Sequence, residues 1–209
     1  MKNSFIIVLI CLFGLFIPNA IAGNNQNDPE ILNICTFNIR HDLQSNEPDS
    51  ISWDEPTNRK NRVLNLITEY DFDLIGGQEI TYNQLQDILT LPYKDHGVVV
   101  NTGLRTSSGM RNAIFYKSNR FITLEQGTFW LSETPEVVSK GWDADQHRNC
   151  SWAKIKDLKT GKIFYFFNAH FDHLGVQARA NTAKLIVDMI PKIAGDLLAF
   201  FMGDLNYFE

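Results

Sequence analysis

The order of apolar and periodic segments predicts an α+β sandwich, two packed and mostly antiparallel sheets flanked by helices. Three observations carry this reading. Apolar runs alternate with 3.6-periodic stretches between residues 31 and 90. A succession of strand-like runs then fills 97–172. One long amphipathic stretch at about 175–190 precedes a last apolar run at 197–203.

Taken in order, the chain opens with Lys2, an apolar run at 5–17 and a small-x-small site at 20–22. This is the pattern of an export signal cleaved after Ala22, too short to span a bilayer comfortably. The protein is therefore expected outside the cytoplasm, periplasmic or secreted, with no transmembrane segment after cleavage. Residues 23–30 form a polar leader, and the domain itself is 31–209. A buried strand is expected at 31–39, then a turn-rich loop at 41–56 held by Trp53. Val63, Leu66, Ile67 and Tyr70 predict a helix at about 57–70. A strand at 74–80 follows, then a helix from Tyr82 that carries Leu85, Ile88 and Leu89 on one side. Strands are expected at 97–101, 112–117, 121–132, 150–158 and 162–172, with a hairpin turn at 157–161. The last helix carries Ala183, Ile186, Val187 and Ile190 on one face and stops at Pro191. The run at 197–203 is the final strand.

The formal charge is −5, and it becomes −6 when Lys2 leaves. A net negative surface gives no general attraction to polyanions, which favours small phosphoesters over nucleic acid. After cleavage Cys35 and Cys150 remain, each inside a strand-like run, where a lone cysteine behaves as a small buried apolar residue. Nothing in the spacing implies structural zinc or a stable protein partner, and a complete domain of this kind is expected to be a monomer.

Polar residues recur where apolar runs end. Glu79, behind Gly76 and Gly77, supplies a hard carboxylate, and Mg²⁺ takes one or two of these at a time. A solvent-facing charge at a strand end is the plainer alternative, and Gln78 should point to the opposite face. Alternation places Asn168, His170 and Asp172 on one face, with His173 opposite. That row suits phosphoryl oxygens and equally suits a capping network for the next helix. Its spacing also resembles the HxHxDH zinc signature of metallo-β-lactamase-type hydrolases. Asn168 replaces the leading histidine, however, and His41, His96 and His147 are too few to complete a dinuclear site. Asp204 and Asn206 share a face, ready to orient a water or leaving oxygen, or to close an Asx turn. Asn38 reads either as a phosphate-side donor or as a turn former. Arg148 and Arg179 are candidates for phosphate contact, with surface ion pairing as the alternative.

In this order the motifs resemble the endonuclease/exonuclease/phosphatase superfamily of metal-dependent phosphoesterases. The resemblance rests on TFNIR (36–40), the QE of LIGGQE (74–79), IFYK (114–117), GTFWLS (127–132), NAHFDH (168–173) followed by Arg179, and GDLN (203–206). The phrases at 127–136 and 141–153 are similar to an exported bacterial branch of it. The resemblance implies a four-layer α/β sandwich and an Mg²⁺ or Mn²⁺ cofactor. It makes Glu79 the principal metal ligand with Asn38 beside it. His170 would contact the phosphoryl group, Asp204 would position the water or leaving group, and Asn206 would orient that neighbourhood.

Two departures qualify it. Family members continue past GDxN to a strand-end Asp and an Asp-His pair that supplies the general base, and related sequences carry a Glu near Met110. The sequence therefore leads us to expect a domain whose last strands are missing, with 197–203 as an exposed edge and feeble catalysis. Two function classes follow: a phosphoesterase, or a non-catalytic remnant that binds phosphate-bearing or glycan ligands.

Overall fold

The computed structural model describes residues 31–42, 52–54, 59–90, 96–100 and 110–207. The export signal, the polar leader and most of the loops at 41–56 and 101–111 lie outside the described residues. The elements in chain order are β1 (Ile34–Asn38), α1 (Arg59–Tyr70), β2 (Leu74–Ile80), α2 (Tyr82–Thr90), β3 (His96–Val100), β4 (Arg111–Lys117), β5 (Phe121–Trp130), β6 (Asn149–Asp157), β7 (Ile163–His170), α3 (Val176–Ala194) and β8 (Ala199–Asp204).

They form two mixed sheets, ordered β1-β2-β4-β3 and β5-β6-β7-β8. The pairs β1–β2 and β7–β8 are parallel, and the remaining pairings are antiparallel. β2 and β7 read as nearly unbroken apolar runs because both are covered on two faces, as strands in parallel pairs usually are.

Three apolar seams hold the layers. Val63, Leu64 and Ile67 of α1 and Leu85 and Ile88 of α2 pack on Cys35, Ile75 and Phe115 of the first sheet. Leu74, Ile114, Phe121, Ile155, Phe166 and Met202 fill the space between the sheets. Ile186, Ile190 and Ala194 of α3 pack on Cys150, Tyr165, Phe167 and Phe201 of the second sheet. The succession is helix, sheet, sheet, helix. It brings the C-terminal ends of β1, β2, β7 and β8 to one end of the sandwich.

Several sequence expectations need correction. α1 buries Leu64 in place of Leu66 and Tyr70, which are 36% and 61% exposed, and Tyr70 stacks on Phe72 instead. α3 does not stop at Pro191 but runs to Ala194. Proline lacks only its own donor, and the carbonyl of Pro191 still accepts the Gly195 N–H at 2.9 Å. Burial of Ile190 and Ala194 favours that extra turn. The buried stripe of α3 is Ala178, Thr182, Ile186, Ile190 and Ala194, whereas Val187 is 61% exposed. Trp53 is buried as expected, and its indole N–H donates to Asp87 at 2.8 Å. Cys35 and Cys150 are free thiols in different seams, and burial pushes Cys35 up to about 12.

Candidate active site

β1 and β8 end in the same way. Asn38 Oδ1 accepts the Arg40 N–H at 2.9 Å, and Asp204 Oδ1 accepts the Asn206 N–H at 3.0 Å. In both turns the residue two positions on has positive φ, 57° at Arg40 and 47° at Asn206. Turn former and site residue are thus one and the same: one side-chain atom closes the turn and the other faces the cleft. Glu79 arrives by a different route. The β2–β4 register breaks between Gly77 and Ile80, and Glu79 sits in that bulge at φ 60°. A bulge re-aims the strand's side chains, here toward the sheet ends.

These turns converge on one amide. Asn38 Nδ2 donates to Glu79 Oε1 and to Asp204 Oδ2, each at 2.9 Å. It therefore gathers one carboxylate from each sheet. The backbone N–H of His41 donates to Glu79 Oε2 at 3.3 Å. His170 Nε2 lies 3.7 Å from Asp204 Oδ2. Arg148, whose side chain is 11% exposed, is held from behind: Nε meets Asp172 Oδ2 at 3.4 Å, and Nη2 lies 3.1 Å from His173 Nδ1.

Burial, helped by the Arg148 charge, pushes His170 down to about 4, against the opposing pull of Asp204 and Glu79. Its imidazole is neutral at pH 7. Burial works to raise the Glu79 carboxyl, but the Asn38 hydrogen bond, with His170 and His41 close by, holds it below the ordinary range. Burial also lowers Arg148, opposed by Asp172, Glu79 and Asp204.

The other expected site residues support this cluster from behind. Asn168 is fully buried, donating to Gly77 O at 3.0 Å and Ala113 O at 2.9 Å and accepting from Gln78 at 2.7 Å. It bridges the sheets and is not a substrate contact. Asp172 is 2% exposed and accepts the backbone N–H groups of Asp145, Gln146, Leu174 and Gly175. Burial alone would raise its carboxyl, yet these donors hold it well below the carboxylate range. Asp172 is the capping network of the alternative reading, and its place in a substrate-facing row is corrected. The strand ends at His170, so alternation no longer governs residue 172. Arg179 Nη1 donates to Asp172 O at 3.0 Å, and Asn206 Nδ2 donates to Phe171 O at 2.9 Å, so both tie the β7 end in place.

Residues 35–208 match the Endonuclease/Exonuclease/phosphatase family. The chain belongs to this family. It is similar to the mannosyl-6-phosphatase of Bacteroides thetaiotaomicron, at 35% identity and a TM-score of 0.77, with 86% of this chain and 67% of that one covered. It is similar also to an endonuclease/exonuclease/phosphatase of Bacteroides vulgatus, at 37% identity and a TM-score of 0.73, with 82% and 64% covered. An uncharacterised protein of Acanthamoeba polyphaga mimivirus is 26% identical over 187 residues, covering 84% of this chain and 67% of its own length. The chain thus spans about two thirds of the length of these relatives.

Family membership implies a divalent cation, and the donor set suits one. The two carboxylates offer hard oxygens, while the Asn38 amide turns its N–H groups toward them and keeps its oxygen in the turn. No three or more His, Cys, Asp or Glu cluster as a closed metal cage among the described residues. An open site of one or two carboxylates is how Mg²⁺ is commonly held, leaving room for water and phosphate.

Sequence reasoning missed three contributors. Gln78 enters the space between the sheets, signalled only by its place before Glu79. His41 supplies a backbone donor, which no side-chain pattern reveals. Asp143 caps α3 from a distant loop, accepting Gln177 N at 3.2 Å and Ala178 N at 2.7 Å. Gly175, at the helix start, has no side chain to do so.

Proposed function

We propose that this chain is a metal-dependent phosphoester hydrolase of the phosphatase type, acting on small phosphorylated sugars. The observation that carries the reading is the Asn38 amide shared by Glu79 and Asp204 at 2.9 Å each. Two carboxylates so close repel one another unless positive charge joins them. Likeness to a mannosyl-6-phosphatase and the net negative charge support a small sugar phosphate over a polyanion. The N-terminal pattern supports an exported enzyme.

Glu79 and Asp204 would hold Mg²⁺ or Mn²⁺, which when bound supplies neutralisation of charge on the phosphoryl oxygens. Arg148, charged and fixed by Asp172, adds a positive group on the same side of the cleft. Neutral His170 holds one proton on its imidazole and donates it in a hydrogen bond to a phosphoryl oxygen, without adding charge. Asp204 keeps Oδ2 toward the cleft, where it orients a water, while Oδ1 is committed to the turn. Asn38 fixes the spacing of both carboxylates.

The test is phosphate release from mannose 6-phosphate and from p-nitrophenyl phosphate, with Mg²⁺ and with EDTA, alongside Mn²⁺ binding. Release that needs Mg²⁺ and disappears in Glu79→Gln is the expected result. Sugar-phosphate binding without any release would instead assign the chain to the binding-only class.

A further inference from the structure

The bulge that aims Glu79 keeps its ladder with β1, where Gln78 pairs with Asn38, but breaks the ladder with β4. Across the β2–β4 ladder, Gly77 pairs with Ala113, and the next regular rung is Ile80 with Arg111. Asn168, on β7 of the opposite sheet, places Nδ2 between the carbonyls of that last regular pair, 3.0 Å from Gly77 O and 2.9 Å from Ala113 O. Its Oδ1 accepts from Gln78 Nε2 at 2.7 Å. The same Gln78 nitrogen reaches Gly76 O at 2.8 Å and Thr36 Oγ1 at 3.1 Å.

The orientation is self-consistent. An amide facing two carbonyls must present its N–H groups to them, which turns its oxygen toward Gln78. Both side chains are buried, at 0% and 1% exposure, so these bonds have no water to replace them. The approach also requires Gly76: a Cβ there would lie 2.9 Å from Asn168 Oδ1.

We infer that Gln78 and Asn168 are a positioning pair that staples the two sheets at the bulge and sets the distance between the Glu79 carboxylate and His170. Glu79 is the residue after Gln78, and His170 lies two positions beyond Asn168 on the same strand. Neither member touches substrate. The inference rests on the metal-dependent reading of the site and adds to it the device that holds the two sheets' contributions in register.

Mn²⁺ alone, titrated into the purified chain and followed by the electron paramagnetic resonance of the free ion, tests it. Outer residues that orient a ligand typically cost 10–100-fold in metal affinity when removed, so Asn168→Ala should weaken Mn²⁺ by about tenfold or more. Ile155→Ala removes packing from the same seam between the sheets, further along, and should bind Mn²⁺ as the parent does. Equal loss in both variants means general loosening and overturns the inference. Gln78→Met keeps side-chain length without the donor; it carries the test if Asn168→Ala does not fold, and parental affinity in folded Gln78→Met overturns the inference. The Glu79→Gln variant separates the two ideas. Affinity lost there but kept in Asn168→Ala overturns only the staple, whereas affinity unchanged in Glu79→Gln overturns the metal reading and the staple with it.

Discussion

At the end of the sandwich away from the cleft, Asp73 and Asp157 are buried, and cations meet them directly. Lys117 Nζ lies 3.2 Å from Asp73 Oδ1, while Arg120 reaches Asp73 at 3.1 Å and Asp157 at 3.3 Å. One guanidinium thus links β5, β6 and the entry to β2. At the cleft end, Glu79 and Asp204 share a neutral amide, and Arg148 stands apart on Asp172. Positive φ occurs at both ends, in Arg40, Glu79 and Asn206 at the cleft and in Asp71 at the closed end. Charge at the closed end is consumed in joining the sheets. Charge at the open end is left available for an incoming ion or ligand.

The sharpest way to break this comparison is Asp204→Asn. Removing a positioned carboxylate should lower phosphate release by roughly 10²–10⁴-fold. Thermal melting should show unchanged or higher stability, because one of two like charges leaves. A loss of stability comparable to that at the other end would erase the distinction. Asp73→Ala is the converse. It takes one carboxylate from Lys117, which keeps Asp71 at 2.8 Å, and one from Arg120, which keeps Asp157 at 3.3 Å, and should cost about 1–3 kcal/mol in urea denaturation. Mn²⁺ affinity of the folded fraction should be unaltered.

A smaller effect is expected from pH. Folded His170 sits at about 4, below the 6.5 of a free imidazole, so folding leaves it with fewer protons. Its contribution to stability is fully present above about pH 6.5 and is lost as the pH falls through about 4. Melting temperatures measured across that window should fall more steeply for the parent than for His170→Gln. Parallel curves would remove His170 from the account. The smallest effect belongs to Gly161, in the turn at the closed end, where φ is 73° and nothing crowds a Cβ. Gly161→Ala should cost about 1 kcal/mol through backbone strain alone, measured by the same denaturation.

Much of this was legible in advance, and the failures are instructive. Asn38, Glu79, His170 and Asp204 were identifiable because each ends an apolar run, and an apolar run ends where the sheet does. Apolar character alone points Leu66, Tyr70 and Val187 inward. Thr182 and Leu64 are buried instead, since helix rotation against the sheet selects a stripe by geometry. Alternation extended through and past the strand points Asn168 and Asp172 toward substrate. It gives a face, but not whether that face opens on solvent or on a second sheet.

The sequence by itself determined the family and the strand tips that carry the candidate residues, because strand periodicity and polar termination are local properties. The tertiary structure alone decided the bulge at Glu79, the shared amide of Asn38 and the division between cleft-facing and supporting residues. Those depend on contacts 41 to 166 residues apart, between Asn38 and Glu79 and between Asn38 and Asp204. Such distances are set by how two sheets pack, which no window along the chain records.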